Sequence, residues 1–187
     1  MESYPLRTTI WEVLDVAKIA FIVDEMFEDS EFRIPYERLR EAGHEPVIVG
    51  LEKGKKLEGK KGQEKITAEV SIDDVSPGDF AALVIPGGYS PDKIRTNAGM
   101  VALTKELHDA GRPVAAICHA GWMLAEAGVL KGRTVTSWPS IKTDLINAGA
   151  EWVDQEVVED GNLITSRKPD DLEAFSKAVL SQLEQTS

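Results

Sequence analysis

Cys118 is the sole cysteine in 187 residues, and His119 follows it directly. A thiol with an imidazole at hand is the pairing of nucleophilic catalysis, in which the ring moves the proton that sulfur gains or sheds. By default, a lone cysteine after an apolar stretch is a small buried hydrophobe. Cys118 departs from that default through its position. PVAAI (113–117) reads as a strand, and a helix begins at once after it. A strand-to-helix turn without a loop has the form of a nucleophile elbow, which lifts the middle side chain into a cleft. Helix N-terminal amides aimed at that sulfur would hold its pKa below the ordinary ~8.5.

Two further segments stand at strand ends. Asp24, Glu25, Glu28, Asp29 and Glu31 put five carboxylates in eight positions after the apolar run that starts at Val16. One or two of them are explained by a helix starting near Ser30, whose positive end favours acidic side chains. Glu31 differs, because it lies one step inside that helix and should point back to the sheet's carboxyl edge. Buried beside a thiol, its pKa would rise through desolvation and the neighbouring charge, leaving a proton to donate to sulfur. Gly87-Gly88 follows LVIP, and residues without Cβ let backbone amides approach an oxyanion. GGYSPD carries neither GxGxxG nor GxxxxGK[ST], so a phosphate cradle is not expected. With one cysteine and no second histidine at ligand spacing, no metal or other cofactor is expected either.

The elements that must position these residues follow from periodicity. VAKIAFIVD (16–24), EPVIVGL (45–51), AALVIP (81–86) and PVAAI (113–117) are short apolar runs suited to strands covered on both faces. Between them, Phe32, Tyr36 and Leu39 mark one helix face that ends at Gly43, and Met100, Leu103 and Leu107 mark another that ends at Gly111. Ile66–Val70 reads as one more short strand, Pro139–Ala148 as a helix, and DGN (160–162) as a hairpin turn. A last helix opens at Pro169, with Leu172, Phe175, Val179 and Leu183 as its core stripe. Strands alternating with amphipathic helices predict an α/β fold: a flavodoxin-like, doubly wound, mostly parallel sheet sandwiched between helices. Residues 1–16 are expected to be an N-terminal extension and 17–187 a single domain.

Charge narrows the field further. Twenty-one basic against 32 acidic residues leave −11, which argues against stable binding of nucleic acid or an anionic membrane. The most basic stretch, EKGKKLEGKKGQEK (52–65), has no interleaved aromatic residue and is expected to be a solvated hairpin rather than a polyanion site. The first twenty residues hold three acidic side chains and no long apolar run, unlike a secretory leader, so a cytoplasmic location is expected.

FEDSEF (27–32), IPYERLREAGHE (34–45), LVIPGGYSPDKIR (83–95), AICHAGW with the sequence that follows to Asn162, and SRKPDDL (166–172) together resemble the PfpI-type branch of the ThiJ/PfpI superfamily. Its members include intracellular proteases, protein deglycases and general stress proteins. The resemblance implies Cys118 as the elbow nucleophile, Glu31 as its acidic partner, His119 as the adjacent histidine and Glu28 as a second acid at the mouth. It also implies an oxyanion hole built on the amides of Gly88 and Ala120, a pocket lined by Trp138, and Asp92 reaching a histidine of the neighbouring subunit. That last role requires a homodimer or higher homo-oligomer. Ala120, Gly121 and Trp122 depart from the usual CHGP, and the extra bulk is expected to narrow the pocket.

By resemblance, the activity is that of a cysteine-dependent, stress-response hydrolase acting on methylglyoxal or glyoxal adducts of proteins or nucleotides, or on free methylglyoxal without glutathione. The alternatives are a redox-sensing stress protein or chaperone working through oxidation of Cys118, and an intracellular cysteine peptidase. A glutamine amidotransferase shares the elbow but places its histidine far downstream, and no histidine follows His119 here.

Overall fold

A computed structural model describes residues 16–185 of the chain. Residues 1–15, most of the expected N-terminal extension, lie outside it. The apolar runs become the centre of the sheet. β1 (Lys18–Ile22), β6 (Ala82–Ile85) and β7 (Val114–Ile117) are fully covered apart from Lys18, and β2 (Glu45–Gly50) is exposed only at its first residue. Val, Ile and Ala dominate all four, as expected where both faces of a parallel sheet are packed.

Seven strands run in the order β10 (Val158–Asp160), β11 (Leu163–Ser166), β7, β6, β1, β2 and β5 (Val70–Ser71). Every pair is parallel except β10–β11, the hairpin whose turn the DGN motif marks. Two separate ribbons complete the strands: β3 (Lys56–Glu58) with β4 (Lys65–Thr67), and β8 (Thr134–Val135) with β9 (Glu151–Trp152). The run at 66–70 therefore splits: its start pairs back in a hairpin, while Val70 joins the edge of the main sheet beside Val49.

Helices α1 (Asp29–Glu41) and α6 (Leu172–Gln185) cover one face, where Phe21, Phe32, Leu39, Phe175 and Val179 form one core. The short α2 (Ser90–Ile94), α3 (Ala98–Asp109), α4 (Gly121–Glu126) and α5 (Lys142–Asn147) cover the other, around Ile22, Leu83, Met100, Leu124 and Leu145. From β1 the chain moves outward to β2, and from β6 it moves the other way to β7. The switch between β1 and β6 opens a crevice at their carboxyl ends, which is where such sheets bind ligands. The loops after β1, β6 and β7 meet there.

Candidate active site

Cys118 follows β7 directly, with φ +63°. Left-handed backbone costs an L-residue on the order of 1–2 kcal/mol, and among the described residues only Met26 shares it without being glycine. Both strained residues sit in loops of the crevice. After Cys118 the chain makes one 3-10 turn (Cys118–Ala120) before the six residues of α4. The elbow expected from the sequence is present, and the helix behind it is short.

That brevity bears on the sulfur. The amides of Gly88 and His119 donate to the thiol and the Lys60 ammonium lies close enough to favour its anion, yet burial outweighs them. With the side chain 7 % exposed, desolvation, reinforced by the charge of Glu31, pushes the Cys118 thiol up to about 12. The lowered pKa expected from helix amides is therefore corrected: two amides on a sulfur removed from water do not offset its desolvation. The resting group is a thiol.

A base stands beside it. His119 Nδ1 lies 3.2 Å from Cys118 Sγ, and Nε2 lies 3.2 Å from Ser140 Oγ. Burial first, then the Lys60 ammonium, lowers the imidazole pKa, so the ring is neutral at pH 7. With the proton on Nε2 and donated to Ser140, Nδ1 is free to take the thiol proton. His119 also packs against Trp122 (5.2 Å between ring centroids) and Trp138 (6.5 Å). Trp138 is 39 % exposed, and its amide donates to the Cys118 carbonyl at 3.2 Å.

Glu31 is wholly buried at the other side of Gly87. Its Oε1 accepts the Gly87 amide at 2.9 Å, while Oε2 has no hydrogen-bond partner. Desolvation and the charge of Glu28 push its carboxyl up to about 8, so at pH 7 it carries a proton. A Cβ on Gly87 would fall 2.5 Å from Glu31 Oε1 and 2.7 Å from Cys118 Cβ, so only glycine lets the acid and the thiol close over this loop. Gly88, at φ +81°, presses on the Met26–Glu28 turn, where its Cβ would meet the Glu28 amide at 2.4 Å. Glu28 itself is buried but paired, with Lys60 Nζ at 2.8 Å and Lys61 Nζ at 2.9 Å.

Those lysines correct the solvated-hairpin expectation. The 52–65 segment is a hairpin, but it is strapped to the acidic loop. Lys61, Gln63 and Glu64 all donate amides to the Asp29 carboxylate at 2.9 Å, and Lys55 Nζ pairs with Asp24 at 3.2 Å. Ala120 is buried, with its methyl in the core on the α2–α5 face of the sheet. The methyl therefore packs into that core, while Trp122, the other bulky departure, lies against His119. Asp92 is exposed on α2, outside this cluster.

A model of the DJ-1/PfpI family matches residues 17–182. The chain belongs to this family. "Protein/nucleic acid deglycase 2" of Escherichia coli (strain K12) is 46 % identical over 167 residues, covering 89 % of this chain and 97 % of that protein. "General stress protein 18" of Bacillus subtilis (strain 168) is 46 % identical over 168 residues, covering 89 % and 98 %. Among solved structures, a two-domain protein from Anabaena variabilis with DJ-1/ThiJ/PfpI-like and ferritin-like domains superposes with a TM-score of 0.89 at 40 % identity. That match covers 90 % of this chain and 48 % of the other.

Within this DJ-1/PfpI site, sequence reasoning brought Cys118, His119, Glu31, Glu28, Gly88 and Trp138 to the loops that meet here and missed Ser140, Lys60 and Lys61. Ser140 carried no signal, since it joins the site only because the Cys118 carbonyl fixes the Trp138 turn. The lysines did carry one. A glycine-flanked Gly59-Lys60-Lys61-Gly62 turn complements a loop of five carboxylates, and opposite charge of that density predicts contact.

Proposed function

We propose that this protein is a stress-response cysteine hydrolase that removes early methylglyoxal and glyoxal adducts from proteins or nucleotides. The observation that carries the reading is the strained Cys118 with a neutral imidazole nitrogen 3.2 Å from its sulfur. Residues 17–187 form the single domain that does this work, with no metal or cofactor in the scheme.

For a methylglyoxal adduct on an amine, the balance is adduct plus water to free amine plus lactic acid. His119 Nδ1 accepts the thiol proton as sulfur bonds the carbinol carbon, and that proton leaves with the departing amine. The resulting hemithioacetal loses the hydrogen on its sulfur-bearing carbon as a proton and regains one at the adjacent carbonyl carbon. The first carbon thereby becomes a thioester and the second an alcohol. Water then cleaves the thioester, restoring the thiol. The Gly88 and His119 amides, which already donate toward sulfur, lie where an oxyanion would develop. Ala120 is a further donor in this scheme. Glu31, protonated at pH 7, serves as a hydrogen-bond donor beside the sulfur.

A second reading draws on the same acid. A protonated carboxyl next to a lone cysteine suits a redox sensor, because it can hold an oxidised sulfur oxygen. We also propose assembly as a homodimer or higher homo-oligomer, with exposed Asp92 offered to a neighbouring subunit's histidine, and a cytoplasmic location. Among the described residues no helix is long and apolar enough to cross a membrane.

The test is lactate and free-amine release from methylglyoxal-treated N-acetyl-lysine or guanosine. The wild type should release both in equal amounts, and Cys118→Ala should lower the rate at least ~100-fold. Equal release by Cys118→Ala overturns the reading. Lactate from free methylglyoxal alone makes the protein a glyoxalase instead.

A further inference from the structure

The basic hairpin does more than close a surface. It hydrogen-bonds the loop after β1 along its length: Met26 donates its amide to Glu58 at 2.9 Å, Lys60 donates to Phe27 at 2.9 Å, and Glu58 donates to the Glu25 carboxylate at 3.0 Å. Asp29 anchors the tip of the hairpin. A Cβ on Gly59 would fall inside its carboxylate, and three amides of the tip converge on the same two oxygens. The tip is thus held in one conformation, and what it delivers is a pair of ammonium groups above one buried carboxylate. Two cations thus meet one buried anion at the mouth of the site, in a protein that is otherwise strongly acidic.

The two lysines are not equivalent. Lys60 is the more enclosed, with 32 % of its side chain exposed against 54 % for Lys61, and its ammonium also sits over the Tyr89 ring at 5.9 Å. Tyr89 follows Gly88 and its amide donates to Met26, so Lys60 rests on the same two loops that frame the thiol.

We propose that Lys60 is a positioning residue of this site, the cation that balances negative charge as it develops on Cys118, with Asp29 holding the turn that carries it. Lys60 touches Glu28 on the loop before α1 and Tyr89 after β6, has Lys61 beside it in the turn, and interacts through its charge with Glu31 on α1 and with Cys118 and His119 after β7. The ammonium favours the anion of Cys118 and the neutral form of His119 that receives its proton, while burial keeps Glu31 protonated against the same charge. Cys118 and Glu31 are buried, and a charge acts more strongly on buried groups than across an open surface. The inference concerns the site named above, but its test needs no substrate.

Because Cys118 is the only cysteine, whole-protein alkylation by iodoacetamide reports on it alone. Its rate would be followed against pH for the wild type, Lys60→Met, Lys60→Arg and Lys61→Met, with thermal melting to verify folding. Lys60→Met should move the profile upward by about one pH unit, making alkylation ~10-fold slower on the rising limb. Lys60→Arg should stay within about twofold of the wild type, and Lys61→Met should move the profile less than Lys60→Met. A Lys60→Met profile that overlays the wild type overturns the proposal. So does a displacement by Lys60→Arg or Lys61→Met as large as that of Lys60→Met. Absence of deglycation would leave this result standing, and failure here would leave deglycation standing, so the two readings fail separately.

Discussion

Asp29 and Glu31 lie two positions apart at the start of α1, and both are buried. One faces the hairpin tip and the other faces the thiol. At the tip, burial alone would push the Asp29 carboxyl up, but the amides of Glu64, Lys61 and Gln63 more than reverse it and hold the group below its usual range. In the thiol pocket a single amide reaches Glu31, and the carboxyl rises to about 8. Two things differ: Glu31 lies deeper in the molecule than Asp29, and it meets one amide where Asp29 meets three. A region that saturates a carboxylate gains stability from it. A region that withholds donors keeps a proton in reserve, at a cost in stability.

Replacing Asp29 offers the most direct way to break this contrast. Asp29→Ala should leave three amides of the tip without their acceptor and lower stability by ~3 kcal/mol in denaturant unfolding. A loss below ~0.5 kcal/mol would mean that the tip is held by something else. Since Asp29 is lowered in the fold, its contribution is present above the unfolded carboxylate value and fades as pH falls below it.

Glu31 has the opposite sign. Its folded pKa lies above the unfolded value, so the protonated fold is favoured at low pH, and stability declines between about pH 4.5 and 8 by up to ~1.4 kcal/mol per unit. Glu31→Gln should flatten that slope in melts taken across the window. An unchanged slope would assign it to other groups.

The smallest effect is expected at Ser140. Ser140→Ala removes the partner of His119 Nε2 and should lower lactate release several-fold while the melting temperature stays within about a degree. A loss as large as that of Cys118→Ala would make Ser140 a reacting group and not an orienting one.

Much of this arrangement is legible in the sequence for a simple reason. The central strands are continuous apolar runs, and the loops at their carboxyl ends hold the thiol, the acids and the paired glycines. The 114–118 segment alone places Cys118, since the four small or branched apolar residues Val114–Ile117 make a covered strand and the chain must turn where they stop. Two things stayed hidden. The pKa of Cys118 depends on how completely the surrounding side chains exclude water, which no spacing records. The role of 52–65 depends on pairing across more than thirty positions, from Asp29 to Glu64, and local pattern describes the hairpin without saying what it grips.

The grip on Asp29 also bears on chain length. Hairpin tips are ordinarily where insertions are absorbed with least consequence. Here a residue added between Gly59 and Glu64 would pull apart the three amides that share one acceptor, and Lys60 would move with them. This tip is therefore expected to tolerate changes of side chain outside its glycines and lysines, but to resist any change in the number of residues.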